Sequence, residues 1–219
     1  MHVFKHQLTY LSVPKCACTS LKLFLFEVEN DFRFRRFKVN RKTYGIHNLV
    51  RSIPFGKLPQ ERITGHHKIA VVRHPVGRIV SCYESKILSG GQHQVKGIDE
   101  TEFLDAGLPL LPSLAEFVDR LEAYQKASKM ILQHSRPLSY FLGQDPGWFD
   151  RIYGMFEIEQ LNDDVRRRTE TNAAVEKRNA AKVKADPSEI TPEVIAKINH
   201  RYASDHTIFG RWFEPNVAN

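Results

Sequence analysis

The feature that most constrains this fold is a unit of strand, short turn and helix that occurs twice in the sequence. In the first unit, the apolar run QLTYLSV (7–13) leads into Pro14, and an amphipathic stripe then repeats at helical spacing from Leu21 to Val28. In the second unit, IAVVR (69–73) precedes Pro75, a residue that suits the first turn of a helix. Strands that alternate with helices predict an α/β fold in which helices flank a central parallel β-sheet on both faces.

The first turn, which follows Pro14, is a candidate anion site. The first N–H groups of a helix have no partner inside it, and the helix dipole adds partial positive charge at that end. Thr19 and Ser20 contribute hydroxyl donors, and Lys15 contributes a positive charge. The small side chain of Ala17 allows an anion to approach the backbone closely. The stretch therefore predicts a phosphate-binding loop, although it contains no glycine.

The second turn carries a second candidate phosphate site. Arg73 ends the apolar strand, and Ser81 follows eight residues later, in the predicted helix. If the helix turns back past the end of the strand, the guanidinium and the hydroxyl can meet on one phosphate. Arginine offers bidentate geometry and a permanent charge for this purpose. Two phosphate sites, one after each strand, match a nucleotide with two separate phosphates.

Three classes of enzyme bind anions at such a turn. The P-loop motif of kinases and ATPases, G-x-x-x-x-G-K-[ST], is matched poorly because both glycines are absent and Lys15 precedes the turn. A cysteine phosphatase needs an arginine about six residues after its thiolate, whereas Lys22 and Phe24 stand there. A sulfotransferase, whose loop holds the 5′-phosphate of a nucleotide sulfate donor, agrees best with both turns.

Taken together, PKCACTSLK (14–22) and VVRHPVGRIVSCYESK (71–86) resemble the paired donor-binding motifs of sulfotransferases that use 3′-phosphoadenosine 5′-phosphosulfate (PAPS). The resemblance is closest to the carbohydrate O-sulfotransferase branch and its bacterial members. It is supported by QHSRPLSYFLG (133–143), by DRIYGMFEIEQL (150–161) and by the ending around 202–210. It implies a single sulfotransferase domain over residues 1–219, with a P-loop-NTPase-like fold.

This resemblance implies an enzyme of the EC 2.8.2 class. Such an enzyme moves the sulfuryl group of PAPS to a hydroxyl or amine and releases 3′-phosphoadenosine 5′-phosphate (PAP), without a metal ion. Lys15 would stabilise the leaving phosphate, Arg73 and Ser81 would bind the 3′-phosphate, and Arg178 would close over the nucleotide. The 5′-phosphate would be held by Lys15 and by the six residues that follow it, namely Cys16, Ala17, Cys18, Thr19, Ser20 and Leu21.

A base should take the proton of the acceptor, and an imidazole that is neutral near pH 7 suits this task. His66 and His67 stand just before the second strand, near the position where heparan-type relatives carry a catalytic histidine. His134 stands in the QHSRP segment, and Glu84 is the alternative if the histidines are remote. For each histidine, a structural or surface role is the competing interpretation.

The later part of the chain contains two clear helix starts. Ser113 and Glu116 form a capping box before an apolar stripe, which predicts a helix that runs to about His134. Thr191, followed by Pro192 and an acid, predicts another helix.

The charge balance points to an anionic ligand. The chain has 32 Lys and Arg against 25 Asp and Glu, which gives a net charge of +7. The basic and aromatic run FRFRRFKVNRK (32–42) is suited to an anionic glycan or to a solvated edge. The alternatives to a sulfotransferase are therefore a basic protein that binds glycan or nucleic acid without catalysis, and a P-loop-type kinase that acts on a small molecule. We favour the enzyme, with a sugar or glycolipid as the acceptor and no nucleic-acid partner.

The cysteines and the hydropathy bear on the compartment. Three cysteines are too few for a disulfide framework and are an odd number. Cys16 and Cys18 lack the further ligands of a zinc site. This usage favours a reducing compartment. No apolar run approaches the ~20 residues that cross a bilayer. The sequence therefore predicts a cytoplasmic bacterial enzyme without a transmembrane segment, unless the chain is a trimmed Golgi-lumen domain.

Overall fold

A computed structural model describes residues 1–89, 100–176 and 183–214 of the chain. The described residues form two compact units. The first comprises residues 1–73, 138–176 and 208–214, and the second comprises residues 74–89, 100–137 and 183–207. Each unit has a buried hydrophobic core of its own.

Strands and helices are numbered in chain order. The strands are β1 (His2–Val3), β2 (Leu8–Leu11), β3 (Phe37–Val39), β4 (Lys42–Tyr44), β5 (His67–Val72) and β6 (Arg151–Gly154). The helices are α1 (Cys18–Asn30), α2 (Ile46–Leu49), α3 (Pro75–Tyr83), α4 (Glu100–Asp105), α5 (Leu114–Asp119), α6 (Leu121–Ala127), α7 (Lys129–Ser135), α8 (Leu138–Leu142), α9 (Ile158–Thr169), α10 (Pro192–Arg201) and α11 (Ala203–Phe209). A π-helical turn, Glu84–Leu88, follows α3 directly.

The first unit is built on a four-stranded sheet with the order β1-β2-β5-β6. β2, β5 and β6 run parallel, with Leu11 opposite Ala70 and Val72 opposite Gly154. All four residues of β2 are buried, as expected of a strand that is covered on both faces. The predicted α/β fold with a central, largely parallel sheet is therefore confirmed.

The edge strand β1 makes this sheet mixed. It pairs antiparallel with β2, and the short 3₁₀ turn Phe4–His6 joins the two strands. A connection this short allows only antiparallel pairing of the two strands, because parallel neighbours need a crossover of a dozen or more residues.

Helix α1 follows the predicted pattern. The side chains of Leu21, Phe24, Leu25 and Val28 are all buried in the core of the first unit. Beyond it, β3 and β4 pair as an exposed antiparallel hairpin, in which the basic run 32–42 is only partly a strand.

The second unit contains mainly helices, and both predicted helix starts are confirmed. The hydroxyl of Ser113 accepts from the N–H of Glu116 at 3.2 Å, and the hydroxyl of Thr191 accepts from the N–H of Val194 at 3.3 Å. The prediction of one helix from Ser113 to about His134 is wrong, because this stretch is divided into α5, α6 and α7.

One of the two breaks in that stretch has a clear cause at Ser128. Its backbone is extended, and its hydroxyl accepts from the N–H of Ile131, so it begins α7 instead of continuing α6. Serine competes for backbone hydrogen bonds in this way and favours a cap over a helix interior. None of the helices in the three described ranges has the length and apolar character needed to cross a bilayer.

Candidate functional site

Two turns meet at one edge of the sheet in the first unit. β2 and β5 are parallel neighbours, so the turn after β2 and the residues after β5 leave the sheet at the same edge, where open α/β sheets bind ligands. Arg73 Nη1 lies 3.5 Å from the carbonyl oxygen of Lys15. The structure thus brings together two cationic residues that are 58 positions apart in the sequence.

The turn after β2 adopts an unusual backbone conformation without glycine. Lys15 and Ala17 have φ values of 69° and 51°, in the left-handed region that glycine normally occupies. Alternation of left-handed and right-handed residues turns successive N–H groups towards one side and forms a concavity that suits anions. The first helical hydrogen bond of α1 runs from Leu21 N–H to the Ala17 carbonyl at 3.1 Å. The earlier N–H groups of the helix therefore precede its internal hydrogen bonding, which favours an anion there.

The six residues predicted to hold the 5′-phosphate differ in how their side chains are placed. Cys16 and Leu21 are fully buried in the core, so they can contribute only backbone groups to this loop. Ser20 is buried as well, whereas Cys18 and Thr19 are half-buried. The predicted loop is therefore a backbone site with a few side-chain donors at its rim.

A histidine that the sequence did not single out lies against this loop. His47 Nε2 lies 2.8 Å from Thr19 Oγ1, and its Nδ1 lies 3.3 Å from Lys22 Nζ. Lys22 Nζ also donates to Ser52 Oγ at 3.2 Å, and Ser52 Oγ lies 2.8 Å from Ser12 Oγ. Five polar side chains thus form one continuous hydrogen-bonded chain beside the loop.

Local structure fixes the positions of His47 and Lys22 in that chain. His47 belongs to the short helix α2, whose start is fixed because the side-chain oxygen of Asn48 accepts from the N–H of Gly45 at 2.8 Å. Lys22 lies on α1 and is fully buried. Burial lowers the pKa of Lys22, and the nearby Cys18 partly offsets this effect.

His66 and His67 lie at the other end of β5 from Arg73. Because a strand rises about 3.3 Å per residue, the length of β5 separates them from the loop by on the order of 20 Å. The ring of His66 is hydrogen-bonded to Thr9 Oγ1 at 2.8 Å. His67 lies 3.9 Å from a carboxylate oxygen of Asp150, and burial lowers the pKa of His67. The structure does not bring either histidine to the loop.

The other predicted residues belong to the second unit or lie outside the described residues. Ser81 is half-buried in α3. His134 Nδ1 lies 2.7 Å from the carbonyl oxygen of Met130, and since a carbonyl can only accept, Nδ1 carries the hydrogen. Arg178 lies outside the described residues.

Two charged side chains of the second unit have structural partners. Glu84, the alternative base, accepts from Lys184 Nζ at 3.1 Å and from the N–H of Ala185 at 3.3 Å. Arg78 is fully buried, and its Nη1 lies 3.7 Å from a carboxylate oxygen of Asp205. Across residues 1–89, 100–176 and 183–214, no group of three or more His, Cys, Asp or Glu side chains is arranged to hold a metal ion.

A cavity of about 400 Å³ lies in the first unit, next to the hydrogen-bonded chain. Its wall includes Ser12, the last member of that chain, and Tyr10, whose buried hydroxyl has no hydrogen-bond partner among the described residues. Most of the remaining wall is aliphatic and is formed by Leu11, Leu49, Val50, Ile53 and Leu58. The volume and the mixed lining are typical of a site for a small ligand.

Comparison with models of protein families gives a match over residues 3–212, to the model described as the sulfotransferase family. The match spans almost the entire chain and includes both turns. No curated protein and no solved structure matches the chain.

Proposed function

The chain belongs to the sulfotransferase family, and from this premise we propose that it moves the sulfuryl group of PAPS to a hydroxyl or amine of an acceptor. The observation that supports PAPS as the donor is the contact between Arg73 and the backbone of Lys15 at one sheet edge. PAPS carries phosphate at both its 5′ and 3′ positions, so it requires two cationic sites close together. The turn after β2 (residues 14–19), which we call the anion-binding turn, and the adjacent guanidinium of Arg73 would meet this requirement.

The residues of the turn would hold the donor by its charge. The N–H groups at the start of α1 would bind the 5′-phosphate, and Lys15 would stabilise the negative charge that develops on it. Arg73 would bind the 3′-phosphate in bidentate fashion. Ser81 and Arg178 stay proposed donor ligands on the strength of their sequence motifs.

Bound PAPS supplies the sulfuryl group, which passes to the acceptor oxygen while the bond between sulfur and the bridging oxygen breaks and PAP leaves. The chain's own residues then have two tasks, to align the reactants and to stabilise charge. The reaction also requires a base that takes the proton of the acceptor.

We propose His47 as that base. It is the described histidine whose ring contacts the anion-binding turn, and its side chain is exposed, so an acceptor can reach it. General bases contribute roughly 10²- to 10⁴-fold to a rate. His66 and His67 are not retained as bases, because they lie at the far end of β5 from the turn. His134, whose Nδ1 hydrogen bonds a helix carbonyl and leaves Nε2 as the basic nitrogen, stays a candidate on the strength of its sequence segment.

The variant His47→Gln is expected to lower kcat by about 10²-fold, because it removes the group that takes the proton. Its affinity for PAP should stay within about twofold of wild type, because the amide still bonds Thr19. Initial rates with saturating PAPS and titrations with PAP would measure the two effects. His200→Gln, on an exposed face of α10, is the matched control and should retain full activity. A normal kcat in His47→Gln would exclude this residue as the base.

For the acceptor we propose a carbohydrate or a glycolipid that enters the cavity lined by Ser12. The aliphatic wall would contact an apolar part of such a molecule. The cavity shares Ser12 with the hydrogen-bonded chain that leads to His47, which supports its assignment to the acceptor.

The proposed donor can be tested by thermal unfolding with nucleotides. A ligand at 100 times its dissociation constant stabilises the native state by about 2.7 kcal/mol, so PAP should raise the Tm clearly. AMP, which lacks the 3′-phosphate, should have little effect at the same concentration, and labelled sulfate should pass from PAPS to an added acceptor. Stabilisation only by polyanions, and only at low salt, would instead indicate a basic binding protein. A response to ATP with magnesium would indicate a kinase.

A further inference from the structure

We propose that Lys22 is a positioning residue for His47: its neutral amine accepts the Nδ1 hydrogen of His47 and leaves Nε2 as the basic nitrogen. This inference rests on the proposed sulfuryl transfer, because it explains how His47 becomes able to accept the acceptor's proton. It assigns a role to a lysine that touches neither donor nor acceptor.

The geometry places both ring nitrogens of His47 against the same helix. Thr19 and Lys22 are three residues apart on α1, so they share one face of that helix. Thr19 Oγ1 lies 2.8 Å from Nε2, and Lys22 Nζ lies 3.3 Å from Nδ1. The imidazole therefore bridges the anion-binding turn and the buried lysine.

The charge of Lys22 determines which nitrogen of His47 is basic. An ammonium can only donate, so Nδ1 would have to accept, and a neutral imidazole would keep its hydrogen on Nε2. Nε2 could then donate to Thr19 but could not take a proton. A neutral amine has a lone pair that accepts the Nδ1 hydrogen, and Nε2 then carries a lone pair, which accepts from the Thr19 hydroxyl until the hydroxyl of the acceptor takes its place. Only the second arrangement makes His47 a base at the turn.

The surroundings of Lys22 favour the neutral amine. The side chain is fully buried, and its hydrogen-bonding partners within the described ranges are His47 and Ser52, neither of which is an acid. Burial lowers the pKa of Lys22, and among the groups of the described residues Cys18 favours the ammonium and offsets this only in part. The nearby α-amino group of Met1 has a pKa lowered to about 5, chiefly by burial, so it adds no charge near neutral pH.

The proton can be followed through the whole step. The acceptor oxygen forms its bond to sulfur, and its hydrogen passes to Nε2 of His47. The Nδ1 hydrogen passes to the amine of Lys22, so the imidazole ends neutral and Lys22 ends as an ammonium. The electron pair of the broken bond leaves with PAP. Ser52 Oγ and Ser12 Oγ, which lead from Lys22 to the wall of the cavity, give the extra proton a route to solvent.

The tautomer of His47 tests this inference without any nucleotide. In a series of ¹H–¹⁵N spectra of the wild-type protein at increasing pH, neutral His47 is expected to become the Nδ1–H tautomer as the amine of Lys22 deprotonates. In Lys22→Met and in Lys22→Arg, which cannot present a neutral amine, it should be the Nε2–H tautomer that donates to Thr19. Spectra of His47→Gln would identify the signals. The same tautomer in wild type and Lys22→Met at every pH would overturn the inference.

Kinetics provide the second test. Lys22→Arg is expected to lower kcat by about 10²-fold and to leave the dissociation constant of PAP within about twofold of wild type. Because the Lys22 pKa lies below its ordinary value, the wild-type kcat should rise with pH as the amine deprotonates, and this rise should vanish in Lys22→Met. Lys126→Met, at an exposed position on α6, controls for the loss of a lysine.

The outcomes separate this inference from the proposed function. If wild type transfers sulfate from PAPS but Lys22→Arg and Lys22→Met keep its kcat and its pH profile, only the role of Lys22 is refuted. If wild type neither binds PAP nor transfers sulfate, the proposed function fails, and the spectra still decide the tautomer. Melting curves of both variants show whether they fold, and Lys22→Met, which buries no charge, is the variant expected to keep the wild-type Tm.

Discussion

Turnover of PAPS is expected to fall by about 10²- to 10³-fold when Lys15 is replaced by alanine, whereas the affinity for PAP should fall by less than about tenfold. The reason is the position of Lys15 in the anion-binding turn, where its charge would act mainly on the negative charge that develops as the leaving phosphate departs. Backbone N–H groups supply most of the ground-state binding of that phosphate, and the mutation leaves them in place. The φ of 69° at this position lies in the left-handed region, which alanine can adopt as readily as lysine does.

Arg73→Ala is the informative comparison for Lys15→Ala. Its guanidinium binds phosphate in both the ground state and the transition state, so its loss should weaken PAP binding by about 10- to 100-fold. Single-turnover rates and PAP titrations on both variants would separate the two effects, with Lys126→Ala as the control for a lost surface charge. The opposite pattern, with Lys15→Ala impaired mainly in PAP affinity, would show that the two roles are wrongly assigned.

The placement of both turns at one edge of the sheet was predictable from the two apolar runs. Apolar runs before Lys15 and before Arg73 predict two buried strands, and parallel strands of one sheet end at the same edge. The structure confirms that the strands are parallel, and it shows in addition that they are neighbours and that the residues after them touch. Sequence reasoning succeeds here since the strands are short, strongly apolar and bounded by proline.

The partners of His47 could not be predicted in the same way. His47 lies 28 residues from Thr19 and 25 from Lys22, and the four-residue helix that carries it has no apolar periodicity to place it. Lys22 stands in an amphipathic helix, where a lysine is ordinarily assigned to the solvated face. Its burial depends on the segment 45–52 packing back over α1, which is a tertiary contact. In contrast, His66 and His67 lie close to the Arg73 motif in the sequence, but the structure places them at the opposite end of β5 from Arg73.

Replacement of Asp205 by asparagine is expected to lower the stability of the second unit by about 3–5 kcal/mol. Both Asp205 and Arg78 have fully buried side chains, and their charged groups lie 3.7 Å apart. Arg78 Nη2 donates to the carbonyl of Arg136 at 2.8 Å, but Nε and Nη1 have no hydrogen-bond partner among the described residues. Without the carboxylate, the guanidinium would stay buried with its charge uncompensated, and the cost of that desolvation is large.

Urea unfolding of Asp205→Asn and of the double variant Arg78→Met/Asp205→Leu would test this argument. The double variant should lose less stability than Asp205→Asn, because removing both charges also removes the desolvation cost that each imposes. Asp119→Asn, which breaks the exposed pair with Lys197, should change stability little since solvent screens that pair. If Asp205→Asn unfolds at the same urea concentration as wild type, Arg78 must be stabilised by other groups, and the buried pair would not hold this unit together.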